Sequence, residues 1–363
     1  MKRSLLPFLL SILLIPVAIE AKLKTKNVIL ITLDGVRWQE IFFGADSTLI
    51  FNKDFTKDSA KVVNQFWDDD EKQRRQKLMP FFWSIIANHG QLVGNVQKGS
   101  VVELKNPYWF SYPGYSEILV GYVDSTRNSN ASENNPNITV LEYIHDQPGF
   151  GEKVAAFCSW DVFDYIINEE RASFPVNSGM ERFEESYGSQ KAEILNELMF
   201  QIPVPWGSVR YDAFTYHYAF DYLKRNKPRL LYIAFDETDE YAHEGKYGQY
   251  LKAANALDGF IKNLWDWLQS DYRYKNKTTL IVTTDHGRGD DPVDSWRQHG
   301  SDVEGAEKVW IAVLGPDTPA LGEIDNSITI YSSQIAKTIS TLLGVEYTNK
   351  EAVGNVIERM IHD

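Results

Sequence analysis

Five stretches of the chain are almost purely apolar and lack the alternation of apolar and polar positions that marks a half-exposed strand. They are residues 28–33, 154–157, 230–235, 280–282 and 309–314. Uninterrupted apolar runs of this length are typical of strands that are buried on both faces of a parallel sheet. The pattern therefore predicts a central sheet with a covering layer on each side.

Helical patterns separate these runs. Within residues 247–269 the apolar residues recur every three or four positions, which is the spacing of a helix with one buried face. Residues 333–343 repeat this spacing, and Gly344 supplies a stop signal. Alternation of strands and helices predicts an α/β fold with a doubly wound, mostly parallel sheet sandwiched by helices.

Two stretches interrupt this rhythm. Residues 51–75 are charged and irregular, and residues 169–206 contain three prolines around a helical segment at 190–200. Both are interpreted as insertions in a single catalytic domain of residues 22–363. They fit lids or walls over the strand ends, and they fit ordinary surface excursions equally well.

The N-terminus has the features of a secretory signal. A basic start at residues 1–3 precedes an apolar stretch at 5–17, and small residues precede Lys22. We expect a signal peptide at residues 1–21 and a secreted or periplasmic protein, with an uncleaved anchor as the alternative. The apolar stretch is short for a bilayer span of ~20 residues. Cys158 is the only cysteine, so no internal disulfide is possible.

The charge of the chain restricts the classes of partner. The formal net charge is -13, and no basic patch offsets it. This balance argues against binding of a nucleic-acid duplex. Clustered carboxylates are compatible with divalent cations, although a negative balance also serves solubility alone. The oligomeric state is not indicated.

Carboxylate and imidazole side chains follow three of the apolar runs. Open parallel sheets place their active sites at the carboxyl ends of the strands, so these side chains are expected to meet there. An adjacent or four-apart Asp-His pair is by itself weak, since such pairs also occur in turns and caps. Together the six indicate a two-metal centre. They are Asp34, Asp239, His243, Asp285, His286 and His299.

A nucleophile is expected near residue 111. Ser111 stands two positions before Pro113 and at the start of an apolar helical run. At a helix N-terminus, free backbone N–H groups attract an anion, and a metal ion can stabilise a serine alkoxide. The local sequence fits a simple N-cap serine as well.

The order of these segments resembles the alkaline phosphatase superfamily, and most closely its nucleotide pyrophosphatase/phosphodiesterase branch. Residues 29–37 are similar to the branch's first metal-ligand strand, and Ser111-Tyr-Pro-Gly-Tyr-Ser-Glu-Ile-Leu-Val-Gly121 resembles its nucleophile motif. Residues 239–248 resemble its Asp-His-Gly stretch. Thr284-Asp285-His286-Gly287 matches its Asp-His-Gly motif, and His299-Gly300 matches its last ligand. This register selects Ser111 rather than Ser116.

The resemblance implies two divalent ions, zinc in the first instance with manganese as the alternative. Asp239, His243 and His299 would hold one ion. Asp34, Asp285 and His286 would hold the other, with Ser111 completing that site and forming a phosphoseryl intermediate. Backbone N–H groups after Ser111 and an asparagine would stabilise the phosphoryl oxygens. Asn128, Asn130 and Asn135 lie in the expected region.

The substrate-binding candidates are Arg37, Tyr112 and Asn130. Arg37 lies close to Asp34, and Tyr112 belongs to an aromatic run at 108–115 that could stack on a substituent of the ester. Asn130 is the candidate amide. The ligand is expected to be a small-molecule phosphate ester.

The chain departs from the branch at several positions. Serine replaces the usual threonine, and Gly114 and Tyr115 replace asparagine and histidine. We expect hydrolysis of phosphodiesters, with a phosphomonoesterase, a sulfatase or a phosphonate hydrolase as alternatives. The sulfatase motif requires an arginine where Tyr115 stands. A phosphoglycerate mutase of this family is cytoplasmic, which conflicts with a signal peptide. A non-catalytic binding protein would not need all six ligands and a nucleophile.

Overall fold

The computed structural model describes residues 22–183 and 189–361. Its largest element is an eight-stranded sheet with the order β10-β2-β9-β7-β1-β6-β4-β5, and a small sheet has the order β11-β3-β8. The strands are β1 Asn27–Leu33, β2 Gln91–Val93, β3 Ser100–Glu103, β4 Val154–Cys158, β5 Val176–Asn177, β6 Leu230–Phe235, β7 Thr278–Thr283, β8 Lys308–Val309, β9 Ile311–Leu314, β10 Gly322–Glu323 and β11 Ile328–Tyr331.

Helices cover both faces of the large sheet. The α-helices are α1 Trp38–Phe43, α2 Ser47–Phe51, α3 Ser59–Phe66, α4 Glu71–Leu78, α5 Ala87–His89, α6 Ser111–Val120, α7 Val140–His145, α8 Phe163–Ile166, α9 Gln190–Gln201, α10 Asp212–Asn226, α11 Glu237–His243, α12 Tyr247–Ser270 and α13 Ile335–Leu342. One π-helical turn spans Phe82–Ile86, and 3-10 turns span Val96–Lys98, Val293–Arg297, Ser332–Gln334 and Glu358–Met360.

The predicted fold class is confirmed by how β1 is buried. Its alternate residues belong to two separate cores: Ile29 and Ile31 pack on one side of the sheet, and Val28 and Leu30 pack on the other. The first core includes apolar residues of α10 and α12, and the second includes those of α6, α7 and α13. A strand covered on both faces requires apolar residues at every position, which explains the uninterrupted runs.

The apolar run at 309–314 does not form one parallel strand. It divides at Trp310 into β8, which pairs with β3 in the small sheet, and β9, which is antiparallel to both β7 and β2. The Trp310 indole is buried and donates to the Val36 carbonyl at 2.8 Å. Apolar continuity reports burial but neither strand direction nor the choice of partner.

The two predicted insertions contain regular structure. Helices α3 and α4 occupy most of residues 51–75, and α9 lies within 169–206. The expected signal peptide, residues 1–21, lies outside the described residues. Within the described ranges no helix combines the length and the apolar character needed to cross a bilayer.

Candidate metal centre

All six predicted ligands gather at the carboxyl edge of three adjacent strands, β7, β1 and β6. These strands are parallel neighbours in the sheet, so whatever follows each of them emerges at the same edge. The last of the six arrives on the loop after Val293–Arg297. The ligands are Asp34 after β1, Asp239 and His243 on α11 after β6, Asp285 and His286 after β7, and His299 on that loop.

One half of the centre consists of Asp34, Asp285 and His286. The Nε2 atom of His286 lies 3.3 Å from Asp34 Oδ1 and 3.5 Å from Asp285 Oδ2. All three side chains are buried, and neither carboxylate oxygen has a hydrogen-bond partner among the described residues. Buried carboxylate oxygens are costly without a partner, so this geometry fits residues that share a cation.

The other half consists of Asp239, His243 and His299. The Nε2 atom of His243 lies 3.1 Å from Asp239 Oδ2 and 2.9 Å from His299 Nε2. The His286 ring stacks on His299 with a centroid separation of 3.9 Å. His286 therefore stands between the halves, and its ligand atom lies within 4.8 Å of those of Asp239 and His299 as well.

The electrostatics of the cluster also suit a bound cation. Burial, followed by the Asp239 carboxylate, raises the pKa of Asp34 well above its usual range, and burial with Asp34 does the same to the pKa of Asp285. Burial lowers the pKa of His286, and burial with the His286 ring lowers the pKa of His299 further. The cluster thus combines neutral imidazoles with carboxylates that repel one another. Imidazole nitrogen and carboxylate oxygen are ligands that zinc and manganese bind.

Arg288 is a buried cation at this centre that the sequence reasoning missed. Its guanidinium pairs with the Asp239 carboxylate and donates to the carbonyl oxygens of Gly35 at 3.0 Å and Arg297 at 2.8 Å. Gly35 has a φ of +59°, and a Cβ atom there would lie 2.7 Å from Arg288 Nη2. Arg288 thus ties together three segments that carry predicted ligands. The position of Arg288 directly after the Asp285-His286-Gly287 motif could have indicated that it belongs to the centre.

Replacing Arg288 with methionine is expected to weaken metal binding by about 10- to 100-fold, the usual effect of removing a residue that orients a ligand. Burial alone would raise the pKa of Asp239, but Arg288 and the nearby imidazoles hold that pKa well below its usual range. Calorimetric titration with zinc measures the change. Arg273→Met, an exposed arginine at the opposite end of the strands, is the matched control. Unchanged affinity in Arg288→Met would contradict the orienting role.

Two departures from the expected motif have structural explanations. Tyr115 is buried and donates its hydroxyl to Asp34 Oδ2 at 2.8 Å, so it orients that carboxylate. Gly114 lets α6 lie directly on the backbone of the Asp285 segment, since a Cβ atom there would be 2.3 Å from the Asp285 carbonyl oxygen. Both residues therefore place α6 against the centre.

Ser111 is the first residue of α6 and points into the centre. Its Oγ atom lies 3.4 Å from His286 Nε2. The turn before it is held by the buried Glu117, whose carboxylate accepts hydrogen bonds from the backbone N–H groups of Lys105, Asn106 and Ser333. Several N–H donors on one carboxylate form a well-satisfied buried anchor. The serine hydroxyl is therefore presented from a fixed turn.

Ser116 is placed differently. It is buried in the middle of α6, and its hydroxyl accepts from Asn135 Nδ2 at 3.1 Å. Asn135 also donates to the Ile166 carbonyl, so it is a packing residue rather than a free amide. Ser111 therefore faces the centre, whereas Ser116 is buried against Asn135, and the choice of Ser111 as nucleophile stays a prediction.

The three substrate-binding candidates have different positions. The Arg37 guanidinium is buried and forms two hydrogen bonds to the Glu40 carboxylate, at 2.8 and 2.5 Å. It does not line the cavity at the centre, and its role as a phosphate ligand stays a prediction. The Tyr112 ring is also buried away from the cavity, with its hydroxyl on the Glu133 carbonyl. Asn130 does line the cavity, and its Oδ1 accepts from the Tyr112 N–H at 3.0 Å.

A cavity of about 250 Å³ opens over the centre. It exposes two acidic side chains and an indole that the sequence reasoning did not select: Asp236, Glu240 and Trp160. Asp236 directly follows β6, and Trp160 stands two residues after β4, so the rule that selected the ligands could have found both. No described residue of segments 51–75 or 169–206 lines this cavity, and their role as lids remains a prediction.

Residues 210–344 match a family model described as Metalloenzyme superfamily. A probable 2,3-bisphosphoglycerate-independent phosphoglycerate mutase of Leptospira interrogans is 21% identical in an alignment of 251 residues that covers 64% of this chain and 43% of that protein. The chain therefore spans less than half the length of that relative.

Solved structures share the fold. The alkaline phosphatase PafA superposes with a TM-score of 0.55 at 10% identity, covering 94% of this chain and 100% of that chain. The phosphonate monoester hydrolase of Agrobacterium radiobacter gives a TM-score of 0.58 at 12% identity, covering 93% and 77%. The diesterase branch stays a prediction. The chain thus matches the Metalloenzyme superfamily model over residues 210–344 and shares the fold of these two hydrolases, in agreement with its resemblance to the alkaline phosphatase superfamily.

Proposed function

We propose that this protein is an exported, metal-dependent hydrolase of phosphate esters that prefers phosphodiesters and uses Ser111 as its nucleophile. The observation that carries the proposal is the position of the Ser111 hydroxyl. It stands at the N-terminus of α6, 3.4 Å from His286 Nε2, beside a buried cluster of carboxylates and imidazoles. Export rests on the sequence of residues 1–21 alone.

The residues of the centre have different roles in the proposed reaction. The six ligands would hold two divalent ions, which would neutralise charge and stabilise a serine alkoxide. Ser111 Oγ forms a bond to phosphorus as the bond to the leaving alkoxide breaks. The serine hydroxyl proton passes to solvent, and the alkoxide takes up a proton from solvent to leave as the alcohol. Water then hydrolyses the phosphoseryl ester and restores the serine. The N–H of Tyr112, now bonded to Asn130 Oδ1 at 3.0 Å, is the backbone donor nearest the nucleophile in the sequence.

The charge of the cavity supports diesters over monoesters. A monoester carries one more negative charge, and enzymes that prefer it supply an additional cation near the phosphoryl group. No lysine or arginine among the described residues lines this cavity. The buried Arg37 is bound to Glu40, and the buried Arg288 is bound to Asp239. Phosphonate monoesters carry the same single charge as phosphodiesters, so the same argument includes them.

The metal-loaded protein is expected to hydrolyse bis-p-nitrophenyl phosphate with a kcat/KM at least about 10-fold above that for p-nitrophenyl phosphate, because the monoester dianion lacks its extra cation. The assay releases nitrophenolate in both cases, and p-nitrophenyl phenylphosphonate and p-nitrophenyl sulfate complete the set. A preference for the monoester would make the protein a phosphatase, and a preference for the sulfate would make it a sulfatase.

A further inference from the structure

Two acidic side chains that are not among the six predicted metal ligands line the cavity. Asp236 and Glu240 both line it, yet neither belongs to the two groups at this centre whose ligand atoms come together. We call Asp236, Glu240 and Trp160 the acidic wall. No described lysine or arginine lines the same cavity.

Asp236 is the clearest member of this wall. It is only 5% exposed, and its side chain makes no capping hydrogen bond to α11. Its backbone is fixed, because its N–H donates to Asp212 Oδ1 at 2.9 Å and its carbonyl accepts from the Asp239 N–H at 2.9 Å. Burial of a carboxylate at a cavity wall is costly, and a ligand that brings a positive charge into the cavity would reduce that cost.

Trp160 adds a second kind of attraction for a cation. It lines the cavity from the segment after β4, and its backbone is paired with Val209 across a short antiparallel bridge. Its ring packs edge-on against Phe163, with centroids 6.3 Å apart. Indole faces attract ammonium and especially quaternary ammonium groups, most strongly where water is excluded.

We propose that the acidic wall is a subsite for a positively charged substituent of the phosphate ester, an ammonium or trimethylammonium group. This inference rests on the proposed function, because the phosphoryl group must lie at the metal centre while the cation lies on the wall. A zwitterionic phosphodiester places one negative charge on the metals and one positive charge on Asp236, Glu240 and Trp160.

The test compares two esters of the same shape. In p-nitrophenyl phosphorylcholine the substituent ends in trimethylammonium, whereas in the neohexyl ester a tert-butyl group replaces it and the charge is lost. Hydrolysis of the choline ester gives nitrophenolate and choline phosphate. We expect kcat/KM for the choline ester to exceed that for the neohexyl ester by at least about 10-fold. Equal values for the two esters would overturn the subsite and leave the hydrolase proposal standing.

Variants locate the preference on the wall. Asp236→Asn and Trp160→Leu should each reduce the ratio of choline to neohexyl ester towards unity. Glu244→Gln, an exposed acid at the end of α11 that pairs with Lys246 outside the cavity, should leave the ratio unchanged. If Asp236→Asn lowered both esters equally, Asp236 would be acting on the metal centre or the leaving group, and the proposal would fail.

A binding measurement separates this inference from the hydrolase itself. In the metal-loaded Ser111→Ala variant, the choline ester should bind at least about 10-fold more tightly than its neohexyl counterpart. Equal binding there contradicts the subsite even if the protein proves not to be a hydrolase. Glycerophosphocholine and phosphatidylcholine vesicles distinguish a soluble ester from a lipid headgroup, and Asp236→Asn should weaken whichever of them is used.

Discussion

Ser111→Ala is expected to reduce kcat/KM for a nitrophenyl diester by at least about 1,000-fold, because the nucleophile makes a bond that no other residue can replace. The variant should still fold and bind metal, since the six Asp and His ligands remain. Elemental analysis and thermal unfolding check these two conditions. Substantial residual turnover with full metal loading would show that another group attacks phosphorus.

Ser116→Ala is the matched control for that variant. Ser116 is buried five residues along the same helix and contacts Asn135, so its loss should cost about 1 kcal/mol of stability and little activity. Since Asn135 keeps its bond to the Ile166 carbonyl, the packing should survive. If Ser116→Ala were inactive and Ser111→Ala active, the register of the nucleophile motif would be wrong.

The second large effect is expected from the metals. Protein purified without chelator should contain two divalent ions per chain, predominantly zinc, and the double variant Asp285→Ala, His286→Ala should lose both activity and metal. Each bound ion stabilises the folded chain by about 2.7 kcal/mol when free metal exceeds the dissociation constant 100-fold. Chelation should therefore lower the thermal midpoint. Fewer than one ion per chain, or an active double variant, would contradict the two-metal centre.

The stabilisation by metal should depend on pH. Burial and neighbouring carboxylates raise the pKa values of Asp34 and Asp285, so the metal-free fold loses their contribution as pH rises above the usual aspartate range. Bound cations remove that penalty because they take the place of protons. The gain in thermal midpoint on adding zinc should be larger near about pH 8 than near about pH 5. Differential scanning fluorimetry at both values measures it, and an equal gain would contradict this linkage.

Much of the centre could be predicted because its signals are local. Asp285 and His286 are adjacent, and Asp239 and His243 are one helical turn apart, so each pair is brought together by its own segment. The strand ends are visible as the ends of apolar runs. Parallel pairing of β7, β1 and β6 then places the pairs at one edge, which is a rule of the fold rather than of particular contacts.

The remaining features depend on contacts between residues far apart in the sequence. Arg288 meets Asp239 and the Gly35 carbonyl, and Tyr115 meets Asp34, although no periodicity relates these positions. The same applies to Arg37, which looked available beside Asp34 but is bound to Glu40 in the buried interior. Sequence spacing gives no information on which of several partners a charged side chain finds once the chain is packed.

The sequence alone determined the fold class, because strands buried on both faces appear as uninterrupted apolar runs. It also indicated the candidate ligands at the ends of the central strands and the serine at the start of a helix, because these residues lie in short motifs. Only the tertiary structure decided the antiparallel direction of β9, the removal of Arg37 from the cavity and the presence of Asp236 and Trp160 on its wall. The physical reason is that the pattern of apolar and polar residues indicates how deeply each segment is buried. Which residues a side chain contacts depends instead on the packing of the whole fold.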